Sequence, residues 1–348
     1  MMRCAAIGIL GWMMALASIV SAFSGRGGLE AVAVSPDGKI VATGGHNRVV
    51  YIVDAEKMEV RQRWWIGARI TNLAFCRDSQ KLLVEDESSR VQSLDVATGK
   101  VLSRVTQVRG LVCDANSVIV HDLTEGPRNR LRFLDPTNLE ERGRVDLAER
   151  PVAWTIEEGG RKLAVWTASR PGEERQIPVT EVPKELRGLA RWNFRLRNDG
   201  RQSALVEVEL ATGKILTTQQ TWYSSDTDTT QLYQAATGWL IVNRINVCAR
   251  INLRGETTIF ETGKEVSPAL ALTFGGKYLW NGGIGGGTFG PIDSDKPTPF
   301  RLDELPGQAE FINRFATLAD GSVYAVTSAH RLAKISRVGI LEKTSPIY

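Results

Sequence analysis

The sequence predicts an all-β fold, and three observations carry that prediction. Seven strings recur along the 348 residues, each a β-rich run that ends in an acidic or small polar residue and is followed by a turn and a second run. They read VYIVDAEKMEV, VQSLDVATGKVL, LRFLDPTNLEE, LVEVELATGKIL, CARINLRGETTIF, FGPIDSDKPTPF and LAKISRVGIL. Their reference residues, Asp54, Asp95, Asp135, Glu209, Asn252, Asp293 and Ser336, are separated by 41, 40, 74, 43, 41 and 43 positions, so the phase survives the one long interval. Upstream of each lie two further apolar runs split by a turn, and none of these runs has helical periodicity. Four antiparallel strands in a unit of about forty residues, seven times over, match the period of a propeller blade. The predicted fold is therefore a seven-bladed β-propeller of four-stranded antiparallel blades, with an insertion in blade 4.

Each blade reads outward as strands a, b, c and d. Strands a and b are the paired runs of LEAVAVSPDGKIVATGG, ITNLAFCRDSQKLLVEDE, GLVCDANSVIVHDL, PVAWTIEEGGRKLAVWTAS, QLYQAATGWLIVNR, PALALTFGGKYLWNGG and FINRFATLADGSVYAVTS. Their β-branched content and length suit strands. Six of the separating turns carry Gly, or Asp or Asn beside a small residue, while Arg77 to Gln80 is a plainer polar turn. Strand c ends at the reference residue and strand d follows it. One small sheet cannot cover both of its faces; packing sheets face to face around an axis buries them, and closing the circle removes the two open ends. A solenoid is the alternative, but four antiparallel strands per unit fit it poorly.

The propeller is expected over residues 29–348 as one domain, with 170–202 inserted in blade 4. Before it, Met1 to Ala22 reads as a signal peptide: one charge at Arg3, an apolar run from Cys4 to Val20, then Ser21 and Ala22. Cleavage after Ala22 would release the chain to a periplasmic or extracellular compartment. The alternative is an uncleaved anchor through residues 4–22, since the run approaches the length that spans a bilayer. Export permits disulfides, yet only Cys76, Cys113 and Cys248 follow the leader, an odd number without metal-ligand spacing. Buried unpaired thiols are expected, with a Cys76 to Cys113 bridge as the alternative. The net charge of +4, with Lys and Arg spread along the chain, argues against nucleic acid as a partner.

AVAVSPDGKIVATGGHNRVVYIVD and LAFCRDSQKLLVEDESSRVQSLDVATGKVL resemble the units of WD-repeat propellers, over roughly the whole of the chain after the leader. Tyr51 to Asp54 and Gln92 to Asp95 lack the Trp-Asp dipeptide, and the Gly-His pair survives as Gly45-His46. DVATGKVL and ELATGKIL are similar to outer-strand turns of exported quinoprotein-like propellers. The resemblance implies a propeller in the wider WD-like superfamily; it implies no particular chemistry, because function sits in sites grafted on such a scaffold.

Strand order places the d-to-a and b-to-c connections on one face. The irregular sequence gathers there: the insertion, Asn281 to Gly290, Glu125 to Arg130, Trp64 to Arg69 and Ser224 to Thr230. Within the insertion, Arg187, Arg191 and Arg195 recur at four-residue spacing beside Trp192 and Phe194. On a helix they would form one basic face for an acidic partner or anionic surface; otherwise this is a solvated arm whose Arg stems cover apolar surface. Trp64 and Trp65 offer an aromatic anchor, although strand alternation sends one of them into an inter-blade core. The candidate binding residues are Trp65, Arg69, Arg187, Arg191, Trp192 and Arg195, and a protein is the expected partner.

Other segments speak for packing. Trp154, Trp166, Trp239 and Trp280 sit in a or b runs and read as core. NGGIGGGTFG lacks the Lys and the strand-to-helix context of a phosphate loop and reads as a flexible hairpin. Asp226 and Asp228 show no companion calcium ligands, and Glu85-Asp86-Glu87 reads as one buried or axis-facing acid between solvated ones. His46, His121 and His330 fall at different offsets in their blades and read as isolated residues. No nucleophile elbow, zinc helix or Cys/His pair is present, so no cofactor, metal or catalytic residue is predicted. The leading expectation is a non-catalytic binding scaffold; the alternative is a propeller enzyme, a lactonase-like hydrolase or quinoprotein-like oxidoreductase, with an axial site.

Overall fold

The computed structural model describes residues 27–348, apart from 125–128, 172–200, 222–229, 243–246, 262–268, 306–308 and positions 77, 115, 158, 169, 293, 295 and 304. Alternation of apolar and polar residues between turn formers produces seven sheets. β1 to β4 (Leu29–Val34, Ile40–Gly45, Val49–Asp54, Val60–Trp65) make blade 1, and β5 to β8 (Ile70–Phe75, Lys81–Asp86, Arg90–Asp95, Val101–Thr106) make blade 2. β9 to β12 (Val108–Cys113, Val118–Asp122, Arg130–Leu134, Glu141–Asp146) make blade 3. Blade 4 holds β13 (Pro151–Ile156), β14 (Lys162–Thr167), the short β15 (Arg170–Pro171), β16 (Arg201–Glu209) and β17 (Ile215–Thr221). β18 to β21 (Gln231–Ala235, Gly238–Val242, Val247–Asn252, Thr257–Glu261) make blade 5, and β22 to β25 (Leu270–Thr273, Tyr278–Gly282, Gly286–Pro291, Thr298–Arg301) make blade 6. β26 to β29 (Ile312–Thr317, Val323–Thr327, Arg331–Ile335, Leu341–Pro346) complete blade 7. Every pairing is antiparallel and between neighbours in sequence, save that β16 pairs with β14, β15 and β17.

Among the reference residues, Asp54, Asp95 and Asn252 build the turn at the end of strand c, and Asp293 lies outside the described residues. The Asp54 carboxylate accepts the Glu56 and Lys57 amides at 3.0 and 2.8 Å, and Asp95 accepts those of Ala97 and Thr98 at 3.1 and 2.8 Å. Asn252 does the same for Arg254 and Glu256, each at 2.9 Å. Such side-chain caps replace backbone hydrogen bonds that the tight c-to-d turn cannot make. The turn then needs a left-handed residue, and in blade 2 this is Gly99, with φ 71°. A Cβ there would also stand 2.5 Å from the ring of Trp64 on blade 1, so the glycine of DVATGKVL serves conformation and close approach together. Blade 1 uses Met58 at the same turn, with φ 55°, and buries its side chain to 1% exposure between blades 7 and 1.

The core lies in the seams between blades. Apolar residues of facing sheets cluster in all seven, with Trp166 and Trp239 between blades 4 and 5, and Trp280 stacked on Phe289 at 4.7 Å between blades 6 and 7. Trp154, between blades 3 and 4, is buried as well. The ring closes without exchanging a strand: blade 7 meets blade 1 through its own four strands. Tyr324 Oη donates to the Ala55 carbonyl at 2.7 Å, Asn313 Nδ2 to the Leu29 carbonyl at 2.8 Å, and Lys343 Nζ to the Lys57 carbonyl at 2.6 Å. Cys76 and Cys113 are free thiols; burial pushes them up to about 11 and about 12, so both stay protonated and inert.

Candidate functional site

The face carrying the d-to-a and b-to-c connections holds the described part of the expected site. Along β4 alternate residues point inward, so Trp64 packs against the core between blades 1 and 2, while Trp65 at the strand end is 69% exposed. Arg63, two residues earlier and on the same strand face, donates from Nε to the Tyr348 carbonyl at 2.5 Å, and Tyr348 is itself 75% exposed. Trp65, Arg63 and Tyr348 thus border the outer edge of the seam where the ring closes. Arg187, Arg191, Trp192 and Arg195 lie outside the described residues.

Arg69 has a different setting from its neighbour Trp65. It is half-buried, 3.8 Å from Glu30, and its Nε stands 3.3 Å from Glu87 as an ion pair without hydrogen-bond alignment. Glu30 also meets His46 Nε2 at 3.1 Å. His330, at the corresponding turn of blade 7, is held below the usual histidine range by burial and by the nearby His46. The structure therefore brings two of the three histidines to one seam, which their unlike offsets in sequence did not suggest. His121 is buried in blade 3 with Trp154 edge-on at 6.0 Å.

The acidic run of blade 2 differs from expectation in having two consecutive buried members, Glu85 at 7% and Asp86 at 2% exposure. A strand buried on both faces makes this possible, because each acid finds its own partners. Glu85 accepts the Gly110 and Leu111 amides of blade 3 at 2.7 and 2.8 Å, and Asp86 accepts from Arg90 Nε at 2.7 Å. Burial raises the Glu85 carboxyl, opposed by those two amides and by the positive charge of Arg314.

A large concavity opens on the opposite face, among the a-to-b turns. It is an axial channel of about 940 Å³ walled by the first strands of six blades, and Arg314 is the one charged residue among its described lining. Arg314 on β26 crosses blade 1 to reach blade 2, where its Nη1 donates to the Thr71 carbonyl at 3.2 Å and to Asn72 Oδ1 at 3.1 Å. Asn72 is fixed in turn by donating to the Leu111 carbonyl at 2.7 Å. Sequence reasoning missed this site because Arg314 and its partners Thr71 and Asn72 come from blades at opposite ends of the sequence. One signal was present: Arg314 is a charged residue inside a first-strand run that is otherwise largely apolar.

Among the described residues no group of three His, Cys, Asp or Glu side chains is gathered so as to hold a metal ion. No known protein family matches the chain, and no curated protein matches it. The geometry offers two chemically distinct places: an aromatic and cationic outer rim on one face, and a polar channel with a single guanidinium on the other.

Proposed function

We propose that this chain is an exported, non-catalytic propeller of the WD-like superfamily, and that it binds a protein partner through the face bearing the d-to-a and b-to-c connections. The observation that carries this reading is Trp65, exposed at the end of β4, with Arg63 on the same strand face bound to the exposed Tyr348. Trp, Tyr and Arg are the residue types that dominate binding hot spots, and an anchor held by a sheet loses little entropy on binding. The arginines and Trp192 of the insertion extend the same face in this proposal. Export rests on the leader sequence, and superfamily membership on the repeat strings and the blade architecture together.

The test is capture of partners by the full chain from the exported fraction of its native cells, compared with Trp65→Ala and Arg63→Glu. Both substitutions are expected to weaken capture while the unfolding midpoint stays within about 0.5 kcal/mol of the parent. Undiminished capture by both variants would contradict the assignment to this rim.

A further inference from the structure

The axial channel lies on the other face from the proposed partner rim, and its chemistry points to a different kind of ligand. We infer that the channel is a binding site for a small amphiphilic organic anion, whose carboxylate or phosphate head meets Arg314 and whose apolar part lies against the mouth. Its volume of about 940 Å³ is that of a small-molecule site. The guanidinium is preorganised within it: among the described residues Nη1 donates to the neutral oxygens of Thr71 and Asn72, and Asn72 is anchored in turn on Leu111. Among the described residues no carboxylate lies within ion-pair distance of Arg314. Glu85, the nearest acid to influence it, spends both oxygens on the Gly110 and Leu111 amides.

A half-buried cation kept among neutral acceptors leaves its remaining N–H groups for an incoming oxyanion, and such charge-assisted hydrogen bonds are the strong ones. Thr273 lines the wall, held by accepting from Trp280 Nε1 at 3.2 Å. Gln234 lines it as well. At the mouth, Ile156, Phe274 and Leu318 replace polar groups with apolar surface, and Phe274 is exposed there although its ring packs edge-on to Tyr278 at 5.2 Å. Head and tail of an amphiphilic anion would each find matching chemistry.

The experiment is calorimetric titration of the full chain with octanoate, octyl phosphate and, as the neutral control, octanol, at fixed ionic strength. Saturable binding of at least one anion at one site per chain, with octanol bound at least about tenfold more weakly, is the expected result. Octanoate alone would assign a carboxylate head, octyl phosphate alone a phosphate head, and both a shared oxyanion site. Arg314→Gln should abolish the binding and Arg314→Lys should weaken it about tenfold, because lysine keeps the charge without the planar fork. If Arg314→Gln does not fold, as judged by circular dichroism, the Arg314→Lys result decides. Trp65→Ala should leave anion binding unchanged, so failure of the partner rim and failure of the channel site are separately visible. Binding of neither anion, equal binding of octanol, or binding unaffected by Arg314→Lys would overturn the inference.

Discussion

Blade 7 meets blade 1 over eleven buried apolar residues, among them Met58, Tyr324, Leu332 and Ile347. Blade 5 meets blade 6 over three among the described residues, Leu240, Val242 and Leu270. The first of these seams has no chain running across it, whereas the second is spanned by the chain itself. Where the backbone tethers two sheets, the tether holds them at high effective concentration, so side chains need supply only part of the association. Where it does not, side chains must supply the whole association, and the direct bonds from Tyr324, Asn313 and Lys343 to backbone carbonyls of the neighbouring blade are part of that supply. Blades 5 to 7 also provide most of the described lining of the axial cavity. Strand a of blades 1, 2, 3, 4 and 7 carries a register shift against strand b, while those of blades 5 and 6 pair without one.

The sharpest way to break this comparison is to remove equivalent apolar bulk from both seams. Leu332→Ala, at a fully buried position of the closing seam, should cost about 2 to 5 kcal/mol in urea unfolding. Leu272→Ala, only partly buried between blades 5 and 6, should cost less than about 1.5 kcal/mol. Equal costs would remove the distinction. A second pair separates close approach from backbone strain. Gly99→Ala must displace the Trp64 ring as well as adopt a left-handed φ, and should cost about 1 to 3 kcal/mol. Gly38→Ala has the same φ of 71° with open space around it, and should cost about 1 kcal/mol. Smaller again is Tyr324→Phe, which deletes one buried hydrogen bond across the closing seam and should cost about 1 kcal/mol, with a matching fall in the urea midpoint.

The weakest effect concerns acid. Asp37, Asp95 and Asp320 are held below the usual carboxylate range, in each case first by a hydroxyl donor, from Ser35, Thr98 and Ser322. A depressed folded-state value means that their stabilisation is complete above the unfolded Asp value of about 3.9, and is lost as pH falls through the lower folded value. The urea midpoint should therefore decline below about pH 4, and Asp95→Asn should make that decline shallower. Glu85 acts in the opposite sense, because burial raises it, so a midpoint that rises on acidification would mean that Glu85 outweighs the turn acids.

The blade count, the strand order and the turn-building role of the strand c acids were legible in the sequence because they repeat. Asp54 and Asp95 make the same local hydrogen bonds, and local chemistry leaves a linear signature. The exposure of Trp65 beside a packed Trp64 was legible for a similar reason, since a strand alternates. Arg69 was only half legible: its place on the face is local, but its ties to Glu30 and Glu87 join two blades. The channel was not legible at all. Arg314, Asn72, Thr273 and Gln234 come from four blades, and nothing in their spacing announces that closure brings them around one axis. That His46 lies close enough to His330 for its charge to be felt was hidden in the same way, by a closure that joins the two ends of the propeller.

Amide hydrogen exchange, resolved by peptide, tests the central claim most directly, because it reads the opening free energy of each blade in the intact chain. Slow exchange is expected in β1 and in β26 to β28 beside the closing seam, which side chains alone must hold, and measurably faster exchange in β18, β19, β22 and β23 beside the seam that the chain itself spans. Faster exchange in blades 7 and 1 than in blades 5 and 6 would show that the ring opens first where it closes, and would contradict the claim.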